Sequence, residues 1–290
     1  MFISTILLSA AVSFAWFARQ EMRRISGEEF AMKSRSLVDI VCLTVAEWIA
    51  GDDNEYDSDL ELLYSGEFPL ALSFDEWDVG IKITPLDRQF SINGIFLPDG
   101  VTMKKEYEYP WQEIWRRLGD ERAAPVVLDF LDSDELARPG GREEDYFLNR
   151  KLSDMSELLH IKEIKPGLLY EGLAGRHLAI DSFFTVYADD KININLASRE
   201  TLSVLDEQIT PGVVDAILAY RREANISNAK DLIKIPAFPV SAVARLNNII
   251  GYKSNYFSVD MKVEYNSDER NFNVVMKRSG NGCQIIGWRE

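Results

Sequence analysis

The 290 residues carry 47 acidic against 32 basic side chains, a formal net charge of −15, with 46% hydrophobic and 11% aromatic residues. That composition builds a core in one large domain or two ordinary ones and excludes wholesale disorder. The charge disfavours nucleic acid, whose phosphates need clustered Lys and Arg, and favours cations as ligands. The acid is uneven: ten acidic residues and no Lys or Arg lie between Asp52 and Asp78. Two cysteines, Cys42 and Cys283, and two histidines, His160 and His177, form no Cys/His ligand pattern, so zinc and haem are poor fits. The cysteines could pair in an oxidising compartment, but nothing local suggests it, and the plain reading is two buried free thiols.

The first element is apolar. No charged residue occurs from Met1 to Ala18, and Arg19, Arg23 and Arg24 follow. Eighteen helical residues span about 27 Å, close to the hydrocarbon thickness of a bilayer. The run is long for a signal peptide and lacks its basic start, so a membrane-embedded helix is expected. Leu37, Val38, Val41, Val45, Trp48 and Ile49 then keep the spacing of one helix face. One helix of about fifty residues is therefore predicted, half in lipid and half outside, closed by Gly51, with a soft point at Gly27.

Trp77–Ile83 alternates as a half-buried strand does. A helical block follows, and it contains a degenerate repeat over about 87–173 and 189–250. Asp87-Arg-Gln-Phe-Ser-Ile-Asn93 matches Asp189-Asp-Lys-Ile-Asn-Ile-Asn195. Ala124-Pro-Val-Val-Leu-Asp-Phe-Leu131 matches Thr210-Pro-Gly-Val-Val-Asp-Ala-Ile217, and Ser153–Ile161 matches Ser227–Ile235. Thr210-Pro211 is a helix start, Thr at the N-cap and Pro at the first helical position. Such units resemble helix-hairpin-helix or SAM-like modules, here in acidic surroundings that favour protein packing over DNA. At the far end Phe257, Val259, Met261 and Val263 alternate, Asn266–Glu269 turns, and Phe272, Val274 and Met276 alternate again before a last run, Cys283–Trp288. The chain thus divides into a helix, 1–50; the first part of an α/β domain, 51–98; an inserted α-helical domain, 99–254; and strands returning to the sheet, 255–290.

The first repeat carries an acidic insertion, Asp132–Asn149. Asp132-Ser-Asp134, a Pro139-Gly-Gly141 turn and Glu143-Glu-Asp-Tyr146 can converge on one point. Oxygen donors without Cys or His select a hard cation, Ca²⁺ before Mg²⁺. Glu143 is the twelfth position from Asp132, as in an EF-hand loop, but Leu136 and Ala137 occupy places where a ligand and the turn Gly belong. A solvated acidic loop is the alternative. No Ser/His/Asp order, nucleophile elbow or phosphate loop is present, so no enzyme is expected.

These segments in this order resemble the K-type minor pseudopilins of type II secretion systems, the general secretion pathway protein K family. The marks are the apolar first helix, Ile192-Asn-Ile-Asn-Leu-Ala197, Asn149-Arg-Lys-Leu-Ser-Asp-Met-Ser-Glu-Leu158, Leu131-Asp-Ser-Asp134 with Gly141-Arg-Glu-Glu-Asp-Tyr146, and Tyr256-Phe-Ser-Val259. The resemblance implies a pilin-like α+β fold: a long helix on a small antiparallel sheet, with a large insertion of two helical units. It implies calcium held by Asp132, Asp134, Glu143 and Glu144, with Arg142 where the family has Ala. It implies a tip subunit, bound to the I- and J-type minor pseudopilins, that helps initiate the pseudopilus for protein export across the outer membrane. Thr5 in place of the Glu common to pilin-like proteins fits a subunit with nothing above it. Location is expected in the inner membrane, single-pass, with the bulk in the periplasm. The arginines after Ala18 lie on the wrong side for the positive-inside rule, and a basic leader, cleaved on the cytoplasmic face, would supply the charge. The alternative is a membrane-anchored helix-hairpin-helix protein of a related pilus or DNA-uptake machine, which a basic surface would mark.

Overall fold

One helix, α1, runs unbroken from Phe2 to Ala50, a length of about 74 Å. Gly27 does not break it, because a single Gly costs only about 1 kcal/mol within a helix this long. The computed structural model describes residues 2–65, 70–172, 178–280 and 282–289, with backbone alone for 2–15 and 289. The side chains of the apolar run that motivates the membrane anchor, Thr5 among them, and His177 lie outside the described residues. Among the described residues, no helix is long and apolar enough to cross a membrane.

After α1 an irregular acidic segment leads to a hairpin, β1 (Leu70–Phe74) and β2 (Trp77–Pro85). The insertion then opens with β3 (Phe90–Ser91), followed by α2 (Lys105–Leu118), α3 (Ala123–Leu131) and a run of short turns. Next come β4 (Phe184–Thr185), β5 (Ile192–Asn193), α4 (Arg199–Leu202), α5 (Pro211–Arg221), α6 (Ala229–Lys234), α7 (Val240–Leu246) and β6 (Ile250–Gly251). The chain closes with β7 (Tyr256–Tyr265), β8 (Asp268–Ser279) and β9 (Gly282–Arg289). The main sheet is antiparallel with order β1-β2-β7-β8-β9, so β2 and β7, far apart in sequence, are hydrogen-bonded neighbours.

Two separate cores result. Val79, Ile81 and Ile83 face Val263, Met261 and Val259 in register, and Phe272, Val274 and Met276 extend the same face across β8. Val38, Val41, Cys42, Val45 and Ile49 of α1 lie on that face, each buried to within 1% of its surface. Cys42 and Cys283 are unpaired thiols; burial pushes Cys42 up to about 12. The second core belongs to the insertion, around Trp111, Trp115, Phe130, Phe184 and Ile217. Phe90, Ile92 and Ile95 belong to it too, so the chain crosses at Leu86–Asp87, earlier than the boundary at 98 expected from the sequence. Apolar alternation through 90–95 reads as sheet on either side of the crossing, and only tertiary packing assigns it.

Within the insertion, the segment opening at Asp87 pairs β3 in parallel with β4, and the one opening at Asp189 pairs β5 in parallel with β6. Thr210 caps α5 through its side chain, which accepts from the Val213 amide. Asp154 and Asn228 make the same kind of cap, accepting from the Ser156 and Lys230 amides.

Candidate metal centre

Three carboxylates of the acidic insertion meet. Oxygens of Asp132, Asp134 and Glu143 all lie within 4.8 Å of one another. Two oxygens on opposite sides of a calcium ion, each about 2.4 Å away, are separated by about the same distance.

The local chain explains the convergence. α3 ends at Leu131, and Asp132 turns into extended backbone while its amide still donates to the Leu128 carbonyl. Asp134 accepts from the Leu136 amide at 2.9 Å, an Asx turn that reverses the chain. Behind the loop sits Asp129, fully buried, accepting from the Arg138 amide at 3.1 and 3.2 Å. Gly141 passes so close that a Cβ there would lie 1.9 Å from Asp129 Oδ2, so only glycine fits. The loop returns at Asn149, in the left-handed region with φ 46°, whose Nδ2 donates to the Asp134 carbonyl at 2.8 Å. Phe147 anchors this return edge-on against Phe130, with ring centroids 5.2 Å apart.

Arg138 lies on one side of the cluster. It donates through Nη2 and Nε to Asp132 Oδ2 at 2.7 and 3.1 Å, and its guanidinium stacks over Phe96. The opposite oxygen, Asp132 Oδ1, is buried without a hydrogen-bond partner, as are Glu143 Oε1 and Asn149 Oδ1. Buried oxygen acceptors without partners are costly unless a cation or donor meets them. Their electrostatics agree. Burial pushes Asp132 up to about 6, against the opposing pull of Arg138. Burial, with Asp129, Asp132 and Asp134 nearby, pushes Glu143 up as well. Asp129 rises by burial, held back by the Arg138 amide and charge. Four carboxylates against one guanidinium leave a deficit of positive charge that suits a divalent ion. An oxygen-only donor set fits calcium.

The fourth expected ligand does not join. Glu144 turns to Arg142 at 2.9 Å and Lys162 at 3.8 Å. The surface cations Arg142 and Lys162 claim Glu144 instead. Arg142 itself pairs mainly with Glu163, at 2.7 and 2.8 Å, and not with the three converging carboxylates. The sequence reading missed Asn149, Arg138 and Asp129. The signals were available: an Asn at a loop end is a residue that tolerates positive φ, and Arg138 is the only basic residue between Asp132 and Gly141.

No protein-family model matches the chain, and no curated protein matches its sequence. A solved structure does. A chain from the crystal structure of the GspK-GspI-GspJ complex of the enterotoxigenic Escherichia coli Type 2 Secretion System aligns with a TM-score of 0.70 at 15% identity. The alignment covers 93% of this chain and 98% of that one. The likeness establishes the fold, a pilin-like long helix on an antiparallel sheet.

Proposed function

We propose that this chain is a K-type minor pseudopilin of a type II secretion system. It serves as the tip subunit that, with I- and J-type minor pseudopilins, helps initiate pseudopilus assembly. Its role is structural rather than catalytic. The observation that carries the reading is the fold match over nearly the whole of both chains, so that helix, sheet and most of the insertion are included. The insertion is two degenerate helical units. The apolar start of α1 anchors the chain in the inner membrane, the bulk lies in the periplasm, and calcium fills the Asp132, Asp134, Glu143 and Asn149 site.

A second feature supports assembly through α1. Opposite its sheet-facing side, Met22, Ile25, Met32, Ile40 and Leu43 are all more than half exposed. At 3.6 residues per turn they fall within an arc of about 80°. A helix with two apolar faces has a second surface to cover. A photo-crosslinkable residue at Leu43 in the native host should capture the I- and J-type subunits. Capture of neither, with the protein present at its usual level, would contradict the reading.

A further inference from the structure

The two cores meet at a polar junction. The chain enters the insertion through Leu86 and Asp87 and leaves it through Ser254 and Asn255, and the segment after α1 wedges between. Asp57 is the centre of that wedge and is fully buried. Its carboxylate accepts from the Ser254 amide at the exit, and its own amide donates to the Tyr252 carbonyl at 2.8 Å. Asn193, from the second helical unit, donates to the Asp57 carbonyl and to Ser254 Oγ, both at 3.0 Å. Arg278, at the end of β8, reaches Asp57 at 3.3 Å, Asp52 at 3.1 Å and the Tyr64 hydroxyl at 2.8 Å. The Tyr64 hydroxyl donates to Asp52 at 3.1 Å. At the neighbouring crossing, buried Asp87 accepts from the Asn255 and Tyr256 amides at 2.6 and 2.8 Å and from the Asp189 amide.

The charges do not balance. The side chains of Asp52, Asp57 and Arg278 are 9%, 0% and 7% exposed, so two buried carboxylates share one guanidinium. The other charged groups facing the junction do not make up the deficit. Lys253, on the exit segment, spends its ammonium on the Asp52 and Asn54 carbonyls. Glu61, on the wedge, adds a further carboxylate, bound to the Ser58 amide and Asn54. Arg221, on α5, is held by the Ile194 and Ala197 carbonyls and reaches only Asp59, at 3.7 Å. Burying a second uncompensated carboxylate is expensive, whereas a proton held between two carboxylates removes that charge and adds a donor.

We propose that this junction is a proton-held latch. One proton kept between Asp52 and Asp57 fixes the insertion against the helix and sheet. Loss of that proton leaves two buried carboxylates repelling each other across one guanidinium, which loosens the wedge and lets the insertion move about its two crossings. The geometry gives the latch its leverage, because the same few residues tie together the end of α1, the end of β8 and both crossings. Titration runs in the matching direction. Burial, with Asp52 beside it, pushes Asp57 up to about 7, and burial pushes Asp87 up to about 6. A carboxyl with a raised folded-state pKa contributes most below its unfolded value near 3.8 and loses the contribution as pH rises through the folded value. The latch therefore holds in mild acid and loosens in mild base.

Hydrogen exchange on the full chain in detergent tests this, with protection factors removing the intrinsic pH effect. Protection of the Ser254, Asn255 and Tyr256 amides should fall about thirtyfold between about pH 5.5 and 8.5, while Val259 and Met261 in β7 hold constant. Asp57→Asn keeps the shape and the donor without the titration, so it should remove most of that dependence and keep the exit amides protected at high pH. Wild-type exit amides whose protection does not change with pH would overturn the latch, as would an Asp57→Asn chain with the full wild-type dependence. If Asp57→Asn does not fold, the wild-type comparison of exit amides with β7 decides alone.

Discussion

Two places in this molecule gather buried carboxylates around a positive charge, and they are built in opposite ways. At the junction of the two cores, Arg278 comes from a distant strand and is held in place by Asp52, Asp57, Tyr64 and Ser254. In the acidic loop, Arg138 binds the outer oxygen of Asp132 and pairs with Asp129 at 3.4 Å, while buried oxygens of Asp132, Glu143 and Asn149 lack hydrogen-bond partners. At the first site the carboxylate oxygens all meet donors of the chain, although Arg278 Nε is buried without a partner. The second leaves buried carboxylate oxygens that the chain does not meet. Buried charge thus acts as a structural tie in one region and leaves open acceptors for a cation in the other, and satisfaction of the carboxylate oxygens separates the two.

Substitutions sharpen that contrast. The largest effect is expected away from both sites, where charge has no partner at all. Val41→Asp with Val45→Asp buries two unpaired carboxylates against the sheet and should cost more than about 5 kcal/mol, abolishing a cooperative melt. A normal thermal transition in that double variant would show that α1 does not pack there. Next, Arg278→Met leaves Asp52 and Asp57 uncompensated and should lower stability by about 3–5 kcal/mol in denaturant titration. A loss below about 1 kcal/mol would mean that the junction does not depend on its guanidinium.

The acidic loop should respond to pH in a way that the ion reverses. In chelator, Asp132 with its value near 6 and Glu143, also raised, favour the folded state when protonated. The chelated protein should therefore lose stability as pH rises from about 5 to 7. A calcium ion held there would need the ionised form, so its stabilising effect should grow over the same interval and fade below about pH 6. A calcium effect independent of pH would separate the ion from these carboxylates. The smallest effect is expected at Glu144, which faces Arg142 and Lys162. Glu144→Gln should change stability by less than about 0.5 kcal/mol and leave the calcium response intact, whereas Glu143→Gln should weaken that response.

Legibility in the sequence follows the same division. The sheet-facing side of α1 and strands β2, β7 and β8 were readable because apolar residues recur at the periods of helix and strand, and burial preserves that pattern. The two free cysteines and the convergence of Asp132, Asp134 and Glu143 also followed from local chemistry and spacing. The direction of Glu144 did not, since it depends on ion pairs with Arg142 and the more distant Lys162 that only the folded loop reveals. The junction was not readable at all. Asp52, Asp57, Asp87, Ser254 and Arg278 show no periodicity, and from Asp52 to Asp78 the sequence looks like a solvated acidic stretch. Only the return of β7 beside β2 brings its first acids into the interior. The exposed apolar stripe on α1 was not readable, because its position opposite the sheet emerges only from the fold.

The central contrast is tested most directly by melting the full chain in detergent with calcium, with magnesium and with chelator, beside the Asp132→Ala, Asp134→Ala double variant. Sites of the extracellular kind bind calcium at about 10⁻⁴ to 10⁻³ M, so millimolar calcium should add on the order of 1 kcal/mol, a rise of about 2 °C in Tm. The account predicts that rise for calcium above magnesium, and its loss in the double variant. Identical melting curves in calcium, magnesium and chelator would contradict it, and would make the acidic loop, like the junction, a region that needs no added ion.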